Sequence, residues 1–151
     1  MALQRTIICS AGIFIAVGFA GTQAGGQPPP PCLFEIEVNA LRGGSPTVTV
    51  CEIGCTKDIT AKARIVKGSA MSGTTIETTL RIEAKDGEEV FQTKTFAPVR
   101  LEVGKGGQGQ KLTMDITQCN SGSIDFIATF FGNDADDNEC KGDRTINKTC
   151  K

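Results

Sequence analysis

The 151-residue sequence contains no histidine, no tryptophan and no tyrosine. Without imidazole, every mechanism that needs histidine as base, acid or metal ligand is excluded. Without tryptophan or tyrosine, the chain lacks the usual flat platforms for sugar stacking and the commonest interface anchors; its aromatic content is eight phenylalanines. An excess of either charge is also missing, since 16 basic residues balance 17 acidic ones to a formal net charge of −1. That balance gives no basic footprint for nucleic acid and little long-range attraction to an anionic membrane.

The N-terminus carries a targeting pattern. Met1 to Arg5 (MALQR) has one positive charge and precedes the apolar stretch Thr6 to Gly21, which is shorter than the ~20 apolar residues of a membrane-spanning helix. Thr22-Gln23-Ala24 then offers small residues two apart, as at a signal-peptidase site. Residues 1–24 therefore read as a secretory signal peptide, with an uncleaved membrane anchor as the alternative. Cys9 lies too early for lipidation and Cys32 lies behind four prolines. Residues 25–31 (GGQPPPP) form a stiff polyproline-type linker, and the folded domain spans 32–151. Removal of the signal leaves six of the seven cysteines: Cys32, Cys51, Cys55, Cys119, Cys140 and Cys150. An even number in a short exported chain implies a disulfide framework. Zinc is the competing reading, but no CxxC occurs and no histidine completes a mixed site.

Period-2 alternation dominates the domain and no helical period is sustained. Phe34, Ile36, Val38 and Ala40 share a face, followed by an interruption at Gly43-Gly44-Ser45-Pro46 that is either a hairpin or a kink where one long strand crosses between sheets. Ile59 to Ile65 and Thr74 to Ala84 are further strands, the second carrying Ile76, Thr78, Leu80, Ile82 and Ala84 on one face. Lys85-Asp86-Gly87-Glu88 is a hairpin turn signal. Val90 to Phe96 and Val99 to Val103 read as two strands separated by a break or edge at Pro98, and Gly104 to Gln110 as a hairpin or inter-sheet loop. The clearest stretch, Lys111 to Phe131, reads as an antiparallel hairpin, Leu112-Met114-Ile116 against Ile124-Phe126-Ala128-Phe130, turning at Cys119 to Ser123. A short last strand falls within Cys140 to Cys150. About seven to nine short strands with regular turns predict an all-β, disulfide-linked antiparallel sandwich.

The segments VRLEVGKGGQGQ, KLTMDI, SIDFIATFF and GNDADD, within Leu80 to Glu139, resemble a bacterial immunoglobulin-like or fibronectin-III-like domain. The tryptophan and tyrosine corner of antibody-type domains have no counterpart. The resemblance implies a seven-stranded immunoglobulin-like β-sandwich with a role in binding or structure. It also implies that Cys51, Cys55, Cys119 and Cys150 gather at one pole and Cys32 and Cys140 at the other. The implied pairs are Cys32–Cys140 and two bridges among the other four, with Cys55–Cys119 favoured. A true hairpin at Gly43-Gly44 would move Cys32 to the opposite pole.

One cluster suggests chemistry. Asp134, Asp136 and Asn138, alternating in an acidic loop with Asp137 and Glu139, offer oxygen ligands to Ca²⁺. The spacing matches the first half of an EF-hand loop, but Glu139 stands where its glycine belongs and Thr145 where its bidentate glutamate belongs. A solvated acidic turn is the simpler alternative. Gly104-Lys105-Gly106 lacks the helix of a phosphate-cradling loop, and Asn147-Lys148-Thr149 is a glycosylation sequon. No histidine is present to activate a serine, and no catalytic motif is recognisable. The expectation is a secreted or envelope-associated, non-enzymatic β-sandwich that binds a protein or an extracellular component, with no nucleic acid partner and no membrane contact after signal cleavage. An exported inhibitor or effector, or a calcium-dependent binding module using the acidic loop, is the alternative.

Overall fold

A computed structural model describes residues 32–43, 49, 50, 53–68 and 73–150. The expected signal peptide and linker, and Cys51, lie outside the described residues. Among those described there is no helix. Seven strands, β1 (Phe34–Gly43), β3 (Thr56–Gly68), β4 (Thr75–Asp86), β5 (Glu89–Glu102), β6 (Gln108–Asp115), β7 (Ser123–Asn133) and β8 (Glu139–Cys150), are joined by the two-residue β2 (Thr49–Val50). They form a three-stranded sheet, β1-β3-β6, and a five-stranded sheet, β2-β8-β7-β4-β5. All pairs are antiparallel except β2 with β8. The chain is thus an all-β sandwich, as its alternation predicts.

The two inward faces supply the core. Ile76, Leu80, Ile82 and Ala84 of β4, Ile124, Phe126, Ala128 and Phe130 of β7, and Ile59, Ala61, Ala63 and Ile65 of β3 are all buried, at every second position as the pleat requires. In β1 the alternation changes phase. Ile36 and Val38 are buried, a register shift falls between Glu37 and Ala40, and Leu41 is the next buried apolar residue. The bulge explains why Ala40, expected on the inner face, is instead half-buried. β1 and β2 lie in different sheets; of the two readings of the Gly43-Gly44 interruption, the crossing between sheets is the one found.

Three expectations need correction. Lys111 to Phe131 is not a hairpin, because β6 pairs with β3 and β7 pairs with β4 and β8. Beyond β6 the pairing with the β3 side continues, since Ile116 N–H donates to Cys55 O at 2.9 Å, and the chain then arches across the sandwich to β7. Two half-buried strands joined by a tight turn bury their apolar faces equally well side by side or in opposite layers, so alternation does not distinguish these cases. Second, β5 is one strand rather than two. Pro98 sits within it on the sheet edge, opposite a register shift between Thr78 and Leu80, where a missing N–H is tolerated. Third, the last strand is long, running 12 residues and pairing with β7 along its length.

The sheets meet along two seams. On one, Gly142 of β8 lies against Ile36 of β1, and the guanidinium of Arg144 donates to the carbonyl oxygens of Val38 (3.3 Å) and Asn39 (3.4 Å). On the other, glutamines tie β5 to β6. Gln92 of β5 accepts from Asp115 N–H and donates to its carboxylate at 2.9 Å, while Gln108 of β6 accepts from Glu102 N–H at 2.6 Å.

Candidate functional site

The acidic loop 134–138 links β7 to β8, and its chemistry is structural. Asp134 is buried, and both carboxylate oxygens are occupied. One accepts from the N–H groups of Asp136 and Asn138, each at 2.9 Å; the other accepts from Leu33 N–H at 2.9 Å and Asn138 Nδ2 at 3.1 Å. Burial works against the Asp134 anion, but the hydrogen bonds from Leu33, Asn138 and Asp136 outweigh it and hold its carboxyl below the ordinary 3.8. Asp136 and Asp137 are exposed, and Asp137 takes a positive φ of 63° while accepting from Asn133 Nδ2 at 2.6 Å.

This donor set does not fit Ca²⁺. The space in front of Asp134 is filled by N–H groups, whose positive ends repel a cation, and Asn138 turns its amide nitrogen rather than its oxygen to the carboxylate. Among the described residues the one metal-like gathering of His, Cys, Asp or Glu atoms is Cys32, Asp134 and Cys140. Its two sulfurs are joined to each other, so they offer no thiolate.

The disulfides follow the expected poles but not every expected pair. Cys32–Cys140 is found, with Cα atoms 5.2 Å apart. Cys119 pairs with Cys150 rather than Cys55, at a Cα separation of 6.4 Å. The arch from β6 has by then reached the five-stranded layer, where Ser123 lies opposite Thr149 and Cys150 N–H donates to Gly122 O at 3.0 Å. Cys55 stays with the three-stranded layer, beside Ile116, and is itself disulfide-bonded.

Asp86 is a second buried carboxylate. Asp86, read as a turn residue, accepts from Asn120 N–H with one oxygen and from Ser121 N–H with the other, at 2.8 Å. The Ser121 hydroxyl and these two N–H groups hold its carboxyl below 3.8. Partners 34 and 35 residues away leave no local sequence signal.

Two surface concavities are lined by described residues. On the outer face of the five-stranded sheet, Arg81, Thr129, Phe131, Glu139 and Lys141 line about 260 Å³, with the Arg81 guanidinium 5.6 Å from the centre of the Phe131 ring. Phe130 is core and Phe131 is half-exposed on the other face. On the outer face of the three-stranded sheet, a groove of about 500 Å³ is lined by Ala40, Arg42, Asp58, Thr60, Lys62 and Lys111. The Gly104 to Gln110 stretch crosses between the sheets, from β5 to β6. In the sequon, Asn147 Nδ2 donates to Asp125 at 2.7 Å and Ser123 at 3.2 Å. Comparison with protein-family models, with curated proteins and with solved structures finds no match.

Proposed function

We propose that the protein is an exported, non-enzymatic binding module of immunoglobulin-like or fibronectin-III-like type, which takes a protein partner along its β5 edge. Export is supported by the targeting pattern of residues 1–24 and by disulfides, which are consistent with an oxidising, extracellular environment. The domain type is supported by the strand order. β8-β7-β4 in one layer, extended by β5, against β1-β3-β6 in the other follows the partition of strands in such sandwiches.

The observation that carries the binding role is β5 itself. Between the two glutamine ties, Thr93 to Pro98 are exposed at six consecutive positions, so this part of the edge overhangs the narrower sheet. Phe96 is 38% exposed and Val90 44%. An edge strand presents unpaired N–H and C=O groups to any extended chain, and Lys94, Pro98 and the register shift beside it are devices that suppress indiscriminate pairing. A guarded but uncovered edge suits one partner that adds a strand and matches these side chains. Affinity capture from the native extracellular fraction tests this. Phe96→Asp and Lys94→Glu are expected to reduce capture at least about tenfold, with Lys141→Ala on β8, across the sheet from β5, without effect. Equal capture by all four proteins overturns the edge assignment. Export is tested separately by the N-terminus of the mature chain, expected at Gly25.

A further inference from the structure

The outer face of the three-stranded sheet has a charge arrangement that neither stability nor the β5 edge accounts for. Register places Arg42 of β1 opposite Thr60 of β3, and Thr60 opposite Lys111 of β6. One pleat along, Ala40 lies opposite Lys62, and Lys62 opposite Gly109. Three cations therefore surround a low floor of Ala40 and Thr60, in the groove of about 500 Å³. The volume lies in the range of ligand sites. Strand spacing and rise put the three Cα positions roughly 8–10 Å apart.

Elsewhere on this face a cation is neutralised. Arg64 Nε meets Glu37 Oε2 at 2.7 Å. In the groove Lys111 is paired, its Nζ lying 3.0 Å from Asp58 Oδ2, and Thr113 Oγ1 donates to the other oxygen of Asp58 at 2.8 Å. Arg42 and Lys62 have no ion pair or side-chain hydrogen bond among the described residues. The groove thus holds three positive charges against one negative in a chain whose formal net charge is −1. The positive field is local to the groove, not a property of the whole molecule.

We infer that this groove binds a sulfated oligosaccharide, through Arg42, Lys62 and Lys111. The separation of the cations suits anionic groups carried on successive units of a chain better than a single small anion. Sugar rings also fit the rest of the lining. Ala40 and the methyl group of Thr60 give a small apolar floor, and the Thr60 hydroxyl and the remaining lone pairs of Asp58 accept hydrogen bonds from sugar hydroxyls. A bare phosphate chain has no hydroxyl donor for Asp58 and is repelled by it. Recognition here depends on charge and hydrogen bonding rather than aromatic stacking, which agrees with a chain lacking tryptophan and tyrosine.

The test is calorimetric titration of the full mature protein with a heparin-derived tetrasaccharide, the same chain after desulfation, and tripolyphosphate. The sulfated tetrasaccharide is expected to bind, less tightly as salt rises, and the desulfated chain not to. Arg42→Ala with Lys62→Ala is expected to weaken binding roughly tenfold to a hundredfold at an unchanged melting temperature, whereas Lys141→Ala, which removes one positive charge from the other sheet, leaves it unchanged. Equal weakening by Lys141→Ala, no weakening by the double variant, or no binding by the wild type overturns the site. Tighter binding of tripolyphosphate than of the tetrasaccharide overturns the assignment to a sugar. Partner capture at β5 uses the opposite layer, so failure there and failure here are separately visible.

Discussion

The two ends of the sandwich use the same parts differently. Each has a disulfide and a buried aspartate accepting backbone N–H groups. At the Asp134 end both devices hold one junction. The Asp134–Leu33 hydrogen bond ties the entry of β1 to the β7–β8 loop, and Cys32–Cys140 ties it to the first residues of β8 just beyond. At the Asp86 end the work is divided. Asp86 fastens the arch at Asn120 and Ser121 to the β4–β5 turn, while Cys119–Cys150 fastens the same arch to the end of β8. With one device lost, a doubled junction still holds its two segments together in the folded state; a divided one releases the segment that the lost device held. The difference falls where the chain needs it, since the Asp134 end secures the entry of β1, the first strand, which pairs with β3 alone.

The largest expected effect is removal of the long-range bridge. Cys32 and Cys140 are 108 residues apart in sequence and Cys119 and Cys150 only 31. Loop-closure entropy then assigns about 4.8 kcal/mol to the first and about 3.7 kcal/mol to the second. Denaturant unfolding of Cys32→Ser/Cys140→Ser and Cys119→Ser/Cys150→Ser is expected to rank them in that order. The reverse order would mean that Asp134 already supplies most of what the bridge at its end provides.

Glycine substitutions sharpen the contrast at an intermediate size. At the Asp134 end a Cβ on Gly132 would strike the backbone of Glu77, and one on Gly142 the backbone of Ile36. At the Asp86 end Gly122 has open space around it but a φ of +83°. Gly142→Ala is expected to cost ~1–3 kcal/mol by overpacking the seam, and Gly122→Ala about 1–2 kcal/mol by backbone strain. Thermal unfolding measures both. Gly142→Ala is further expected to speed hydrogen exchange in β1 and β8, and Gly122→Ala only in the arch.

Legibility in the sequence followed the range of each interaction. The strands that build the layers were plain, because alternation in Ile76 to Ala84 or Ile59 to Ile65 is local and its period is set by the pleat. The turn at Asp86-Gly87 was plain for the same reason. What alternation does not encode is which layer a strand joins. Leu112 to Phe130 therefore reads as a hairpin, and the resemblance, which favours Cys55 as the partner of Cys119, does not show the arch that carries Cys119 to Cys150. The bulge in β1 was hidden because a single extra residue leaves composition unchanged while reversing the faces from Ala40 onward. Asp134 stands among acidic neighbours in the sequence, yet its partners are N–H groups, which every residue but proline carries and no sequence displays. The basic groove needed the register of three strands at once, since Arg42, Lys62 and Lys111 are ordinary outward-facing residues when read singly.

Acidification probes both ends together. The carboxyls of Asp86 and Asp134 both titrate below 3.8 in the folded chain, so each contributes stability that is complete above the unfolded value. That stability is lost as pH falls below 3.8 through the folded values. The melting temperature is expected to fall steeply in that window, and less steeply in Asp86→Asn or Asp134→Asn. A wild-type melting temperature that stays flat below pH 3.8 would show that neither carboxylate matters to stability.

The smallest effect separates the ends most cleanly, because it is a difference of differences. Combining Asp134→Asn with Cys32→Ser/Cys140→Ser removes both devices from one junction. The combined loss should exceed the sum of the separate losses, since each device alone keeps Leu33 near the loop and masks the absence of the other. Combining Asp86→Asn with Cys119→Ser/Cys150→Ser removes two devices that bind the arch to different strands. Those losses should add, because neither device substitutes for the other. Urea unfolding of the six variants and the wild type gives both interaction energies. Additivity at the Asp134 end, or coupling of equal size at the Asp86 end, would mean that the two ends are held in the same way and that the doubled junction has no energetic counterpart.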